Sequence, residues 1–203
     1  MDRKPLGFTG GMGTGKSTVL KMLSEYSDIK RIDTDSIAKQ FLFDPRNQKE
    51  IKHLLGPFVF TDGKVDGGKV GQIIFSNEDK KHRLEGFIHP LVEQEINRIV
   101  AGLSGPIIPI VESAIIFKIG WEKKFSGIIV AHCQPDEVIA RLRFLKNMSI
   151  EEIQKRLGNQ IDQDCKVKRA DLTIDTTCSF VEMIRRANKL YHEIRKFWNN
   201  LPD

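Results

Sequence analysis

Hydrophobic positions along this chain follow two alternating rhythms. Short segments with apolar runs at 6–9, 107–112, 128–133 and 172–175, and a further strand-like segment at 30–33 around Ile32, are separated by longer stretches where apolar residues recur every three or four positions. The short runs are rich in β-branched residues, such as Ile107, Ile108, Ile110 and Val111, or Ile128, Ile129 and Val130. Continuous runs of that kind predict strands buried on both faces. Val19, Met22, Leu23 and Tyr26 lie at i, i+3, i+4 and i+7, which predicts a first helix from Gly15 or Lys16 to about Tyr26. Ile184, Ala187, Tyr191, Ile194 and Trp198 predict a last helix over about 180–198 in the same way. Strands alternating with amphipathic helices predict an α/β fold around a five-stranded parallel sheet.

Two segments interrupt the alternation. From 36 to 103 there is no clear buried strand; helical patterns are broken at Pro45, at Gly56-Pro57 and in the turn-like "TDGKVDGGKVG". From 141 to 169 the pattern is helical and basic, with Arg141, Arg143, Lys146, Lys155, Arg156, Lys166, Lys168 and Arg169. The expected organisation is a single domain over 1–203. Its core comprises 1–35, 104–140 and 170–203, with a helical insertion at 36–103 and a lid at 141–169.

The chemistry is concentrated at the first strand–helix junction, "GFTGGMGTGKSTVL" from Gly7. Gly10-x-x-x-x-Gly15-Lys16-Ser17 matches a phosphate-binding loop at every defined position and sits between a predicted strand and a predicted helix. Glycines let successive backbone N–H groups of 11–15 turn inward around phosphate oxygens, and the helix N-terminus adds partial positive charge. Gly11, Met12, Gly13, Thr14 and Gly15 are therefore expected to form the nucleotide cradle. Lys16 would reach the β- and γ-phosphates, Ser17 would ligate Mg²⁺, and Thr18 would touch the α-phosphate. A dinucleotide-binding reading fails, because after Gly11 and Gly13 the position requiring glycine holds Lys16. The expected ligand is a nucleoside triphosphate with Mg²⁺.

Residues beyond the loop narrow the reaction. No Asp is followed by Gly three residues on, and no N/T-K-x-D motif occurs, so a switch GTPase is not expected. No apolar run ends in Asp-Glu as in a motor ATPase. "IDTD", Ile32 to Asp35, stands at the carboxyl end of the second predicted strand, the edge where open α/β sheets bind ligands. Asp33 and Asp35 there could orient or deprotonate an acceptor hydroxyl and help hold Mg²⁺; alternatively, Asp35 caps the next helix and Asp33 only ends the strand. Arg and Lys residues on a basic lid could stabilise the transferring phosphoryl group.

Composition adds limits. The content of 40% hydrophobic and 29% charged residues is ordinary for a globular protein, and the formal charge is +5. The cations concentrate in the lid segment without interleaved aromatics, so nucleic acid is not an expected partner. The first residues do not read as a signal peptide and no run approaches the roughly 18 apolar residues of a membrane span, so no membrane partner is expected. Three cysteines without paired spacing suggest reduced thiols in a cytoplasmic protein. A monomer acting on a small acceptor is expected.

At this point the chain resembles a family, dephospho-coenzyme A kinase. The resemblance lies in "GFTGGMGTGKSTV", in "RIDTDSIAKQ" and in "LEGFIHPLVEQEI", with weaker echoes in "IPIVESAIIF", "RLGNQ" and "KRADLTIDT". It implies a P-loop kinase fold of three layers, with an inserted helical domain contacting the CoA substrate and a helical lid. It implies transfer of the ATP γ-phosphate to the 3′-hydroxyl of dephospho-CoA. By position it makes Asp35 the base, with Asp33 beside it near the metal. It puts His89 and Pro90 at the acceptor site and makes Arg141 the lid arginine. His89 could instead fix a turn before Pro90. The chain departs from the family pattern at Ala114–Lys118, at Leu145 where a second lid arginine usually stands, and at Thr176-Thr177-Cys178. Arg143 and Lys146 flank Leu145, and Glu112 keeps an acid at the strand end, where it could contact Mg²⁺ or water. Kinases for nucleoside monophosphates, shikimate or sugar acids share the core and lid and remain the alternative.

Overall fold

The computed structural model describes residues 3–158 and 161–202. Asn159 and Gln160, which end the "RLGNQ" echo, lie outside the described residues, as do Met1, Asp2 and Asp203. In chain order the regular elements are β1 (Leu6–Gly10), α1 (Lys16–Leu23), β2 (Ile29–Asp33), α2 (Thr34–Phe43), α3 (Gln48–Leu55), β3 (Phe60–Thr61), β4 (Lys64–Val65), α4 (Gly67–Ser76) and α5 (Glu78–Ala101). They continue with β5 (Ile108–Glu112), β6 (Gly127–His132), α6 (Pro135–Lys146), α7 (Ile150–Gly158), α8 (Gln163–Lys168), β7 (Leu172–Asp175) and α9 (Phe180–Asn199). Two compact units result, one built from Met1–Ile32 and Ser104–Asp203, the other from Asp33–Leu103.

The first unit carries the five-stranded sheet in the order β2-β5-β1-β6-β7. β1 runs parallel to both β5 and β6, with Phe8 opposite Glu112 and Ile129, and β6 runs parallel to β7. β1 and β5 are buried along their whole lengths, as their unbroken apolar runs require. Leu6, Phe8, Ile110, Ile129 and Ile174 meet α1 and α9 on one face. Leu20 and Leu23 of α1 and Leu190 and Ile194 of α9 are at most 1% exposed there, each worth about 1.5–3 kcal/mol of transfer free energy. Ile116, Phe125 and Ile128 close over Gly7 on the opposite face. The α/β sheet expected from the alternating pattern is present.

Two helix expectations need adjustment. α1 ends at Leu23 rather than Tyr26; Tyr26 lies past the helix and stacks on Tyr191, ring centroids 3.6 Å apart at 7°. On α9 the buried stripe is Met183, Ala187, Leu190, Tyr191, Ile194 and Trp198, whereas Ile184 is 49% exposed. Met183 and Ile184 differ by one helical step, and only the sheet they pack against decides which turns inward.

The second unit is helical apart from one small hairpin. Asp62 (φ 49°) and Gly63 (φ 74°) are both left-handed, as a two-residue hairpin turn between β3 and β4 requires. Asp66 then accepts hydrogen bonds from the Gly68 and Lys69 amides and starts α4 inside the glycine-rich stretch that reads as a turn. α5 is a single helix with Pro90 in its interior, so there is no turn before Pro90 for His89 to fix. The helix absorbs the lost amide donor because Pro90 and Gly86, whose carbonyl it would have bonded, are both exposed to water. No helix among the described residues is long and apolar enough to cross a membrane.

Candidate active site

Residues 10–16 link β1 to α1 in a tight loop closed on itself. The Thr14 amide and hydroxyl both donate to the Gly11 carbonyl, at 3.3 and 2.8 Å. Gly13 (φ 79°) and Gly15 (φ 74°) adopt left-handed backbone that a Cβ would strain. A side chain at Gly13 would also press on Val138 and Leu142, 3.0 and 3.1 Å from the Cβ position, so the loop lies flush against α6. Met12 anchors it by packing on the cluster of Cys133, Val138, Leu142, Met148 and Ile153. Gly15 caps α1 without any side chain to occupy the first-turn amides, and that turn holds no acidic residue. Unused donors and the helix dipole there favour an anion. Thr14 is buried, with its hydroxyl and amide both turned onto the Gly11 carbonyl, so its side chain closes the loop instead of meeting a ligand; Thr18 is exposed on α1.

Lys16 and Ser17 converge on Glu112, at the end of β5. The Lys16 ammonium and the Ser17 hydroxyl (2.8 Å) donate to one carboxylate oxygen. Arg31 on β2 donates to the other through Nε (2.8 Å) and Nη2 (2.5 Å). The Glu112 side chain is 5% exposed. Burial pushes its carboxyl up, but the bonds from Lys16, Ser17 and Arg31 outweigh that and hold it below the ordinary glutamate value. Two cations around one carboxylate leave this corner net positive, beside the anion-binding end of α1.

A depressed carboxyl stabilises the fold above its unfolded pKa, and that contribution is lost as pH falls through the lower folded value. Glu112→Gln is expected to destabilise the protein by about 2 kcal/mol at neutral pH, because two partly buried cations lose their counter-charge. Urea denaturation across pH should show the gap to the unsubstituted protein shrinking below the glutamate reference of 4.5. A gap that does not change with pH would exclude this charge cluster as its source.

Arg141 lies mid-way along α6. Its Nε donates to Glu137 at 3.0 Å, Nη1 to the Thr176 hydroxyl at 3.2 Å, and Nη2 to the Thr176 carbonyl at 2.7 Å. Nη1 stands 3.4 Å from where a Cβ on Gly15 would be, which sets the guanidinium against the phosphate loop. Other cations of the basic segment are engaged elsewhere. Arg156 pairs with Glu152 at 2.7 Å, Arg169 pairs with Glu122 and lies over the Phe117 ring, and Lys166 is buried. Arg143, Leu145 and Lys146 are exposed. The side-chain amide of Gln163 pairs with both the N–H and the carbonyl of Cys133, tying α8 to the end of β6.

Asp33, Asp35, His89 and Pro90 belong to the second unit. Asp33, not Asp35, is the cap of α2: its carboxylate accepts from the Asp35 and Ser36 amides at 3.0 and 3.2 Å and from the Ser36 hydroxyl at 3.0 Å. The cap that the alternative reading gives to Asp35 is thus made by Asp33, because the helix already includes Thr34 and Asp35. Asp35 stands exposed in the first turn of α2. His89 is half-buried on α5, and burial lowers its pKa against the opposing pull of Glu85, which keeps it neutral at neutral pH.

Comparison with known proteins decides between the kinases this geometry allows. The dephospho-CoA kinase family model matches residues 5–182. The chain belongs to the dephospho-CoA kinase family. A dephospho-CoA kinase of Bdellovibrio bacteriovorus is 30% identical over 200 residues, covering 97% of this chain and 98% of that protein. Among solved structures, the dephospho-CoA kinase of Campylobacter jejuni superimposes with a TM-score of 0.73 at 28% identity, covering 95% and 97% of the two chains. TT1252 of Thermus thermophilus superimposes with a TM-score of 0.84 at 26% identity, covering 96% and 98%. A shikimate kinase of Acinetobacter baumannii, at 16% identity and a TM-score of 0.52, shares the fold alone.

Residue type and spacing single out Lys16 and Ser17, the family resemblance adds Arg141 and Glu112, and the fold gathers all four around the loop. Neither singles out Arg31 or Thr176. Arg31 stands beside Lys30 in a short strand, two residues before Asp33, and nothing in that local pattern separates one cation from the other. For Thr176 there is no signal beyond a departure from the family pattern, because its partners lie far away in the chain.

Proposed function

We propose that this protein transfers the γ-phosphoryl group of ATP to the 3′-hydroxyl of the ribose of dephospho-CoA, yielding coenzyme A and ADP, the last step of coenzyme A biosynthesis. The observation that carries the reading is the phosphate loop with Lys16, Ser17 and Glu112 already drawn together, in a chain that matches the family over 5–182. As a phosphoryl transfer it needs positioning and charge neutralisation more than covalent chemistry. The amides of 11–15 and the first turn of α1 bind the phosphates. Lys16 exchanges its Glu112 partner for β- and γ-phosphate oxygens and neutralises charge as the bond to the leaving oxygen breaks. Arg141, seated against Gly15, adds a second cation.

The donor set here suits Mg²⁺. Ser17 and an ionised Glu112 present hard oxygens, and no group of three or more His, Cys, Asp or Glu able to hold a metal occurs among the described residues. That fits an ion which keeps most of its coordination to phosphates and water. When bound it would offset the charge on the β- and γ-phosphates. Asp35 is assigned the acceptor hydroxyl, which it orients and whose proton it takes, and is a further carboxylate ligand candidate. Asp33 keeps the helix entry in place through its cap. His89, with Pro90 following, is assigned to acceptor binding, and the 141–169 segment to covering the triphosphate. The three free cysteines suit a reducing cytoplasm, and a monomer is the proposed working unit.

The test is ATP consumption by the purified protein with Mg²⁺, with and without dephospho-CoA, with the product identified by mass as one phosphate heavier. Turnover that requires dephospho-CoA is expected. Turnover with shikimate, a nucleoside monophosphate or a sugar acid in its place would overturn the acceptor. For the acceptor side, His89→Ala is expected to raise the KM for dephospho-CoA about tenfold, the equivalent of one hydrogen bond, while the KM for ATP stays put. Steady-state kinetics with each substrate varied in turn decides this. A shift confined to ATP would remove His89 from the acceptor site.

A further inference from the structure

Thr176, the first residue after β7, is 0% exposed, and its short side chain is surrounded by hydrogen-bond partners from three parts of the fold. Its hydroxyl donates to the Thr14 carbonyl at 2.8 Å, with the His132 carbonyl at 3.1 Å as a second, longer acceptor. The same oxygen accepts from Arg141 Nη1 at 3.2 Å, and the Thr176 carbonyl accepts from Arg141 Nη2 at 2.7 Å. Its own amide donates to the His132 carbonyl at 2.9 Å, so the residue is fixed to the end of β6. A hydroxyl has one proton and two lone pairs, and here both its donor and its acceptor capacity are engaged.

The consequence for the phosphate loop comes from peptide geometry. In a planar trans peptide the carbonyl of one residue and the N–H of the next point in opposite directions. Holding the Thr14 carbonyl outward on Thr176 therefore aims the Gly15 N–H inward, to the side where the loop receives phosphate. A residue at φ 74° without a side chain has no steric preference of its own for that orientation. The contact is close: the Cβ position of Gly15 is 3.5 Å from the Thr176 hydroxyl and 3.4 Å from Arg141 Nη1. One residue thus sets a loop donor through its side chain and tethers the arginine beside it through both side chain and backbone.

We infer that Thr176 is a positioning residue of the nucleotide site: its hydroxyl fixes the Thr14–Gly15 peptide in the orientation that receives phosphate, while its hydroxyl and carbonyl together tether Arg141 beside the loop. This deepens the proposed kinase reading and rests on it only for the name of the acceptor.

The experiment compares Thr176→Val, which keeps the shape and removes the hydroxyl, with Thr176→Ser, which keeps the hydroxyl. ADP affinity is measured by calorimetry, and KM for ATP and for dephospho-CoA by steady-state kinetics. Thr176→Val is expected to weaken ADP binding and raise the KM for ATP about tenfold or more, because a buried carbonyl and a guanidinium each lose a partner. The KM for dephospho-CoA should stay within about twofold, inside ordinary context effects, and Thr176→Ser should recover ADP affinity to the same margin. Unchanged ADP affinity in Thr176→Val would overturn the inference. So would equal losses toward both substrates with a lowered Tm, which is what general destabilisation produces. If Thr176→Val does not fold, Thr176→Ser decides: retained ADP affinity supports the hydroxyl, and a tenfold loss rejects it. ADP binding involves no acceptor, so its outcome stands even if the unsubstituted protein fails to phosphorylate dephospho-CoA.

Discussion

Lys16→Ala is expected to lower kcat/KM for ATP by about 10³-fold, the scale of removing a preorganised charge from a transferring group. Two losses combine. The ammonium that follows the β- and γ-phosphates through the reaction disappears, and so does the largest influence opposing the burial of Glu112. Arg31 and Ser17 still donate to that carboxylate, so the fold should survive; Tm should change by only a few degrees, matching a cost of about 1 kcal/mol. ATP consumption under saturating acceptor, with ADP affinity measured alongside, separates the two effects. Activity within a few-fold of the unsubstituted protein would remove the phosphate loop from the mechanism. A collapse of Tm with no folded protein would instead place Lys16 among the residues that hold the sheet edge together.

The second large effect concerns the acceptor side. Asp35→Asn is expected to lower kcat about 10²- to 10⁴-fold, the range of a positioned general base, while ADP affinity is largely kept. Asparagine preserves size and can still accept a hydrogen bond, so what is removed is the negative charge. The cap of α2 is made by Asp33 and remains intact, so helix stability should not move. Asp33→Asn is the informative partner: asparagine caps a helix about as well as aspartate, so the stability cost is only that of one charge at a helix N-terminus, about 0.3–1 kcal/mol, and its kinetic effect should be the smaller of the two. Single-turnover rates with saturating ATP make the comparison. If Asp33→Asn proves the more damaging to turnover, the two carboxylates exchange roles.

How far each feature could be read in advance depends on the range of the interaction behind it. Strands such as 6–9 and 107–112 were legible to within a residue or two, since their largely apolar sequences reflect burial on both faces of one element; 172–175 was legible too, although only Ile174 of that strand is buried. The 10–17 loop was legible because glycine backbone freedom, a lysine and a hydroxyl at fixed spacing act locally. The end of α1 was not, because Tyr26 continues the apolar stripe but finds its partner in Tyr191, far along the chain. Pro90 reads locally as a breaker, yet α5 continues through it with the proline and Gly86 both exposed to water. Asp35 is the cap that spacing offers, with Asp33 ending the strand, and only the backbone extended at Asp33 (φ −96°, ψ 108°) gives the role to Asp33.

By itself, then, the sequence determined the class of fold, the phosphate loop and the acidic pair, and with them the family. These are properties of short segments whose chemistry comes from residue type and spacing. Only the tertiary structure decided that Glu112 would be shared by Lys16, Ser17 and Arg31, that Met183 rather than Ile184 would face the sheet, and that Thr176 would hold both the loop and Arg141. Each of those outcomes joins residues from separate strands and loops, whose proximity is set by the order β2-β5-β1-β6-β7 and by no local pattern.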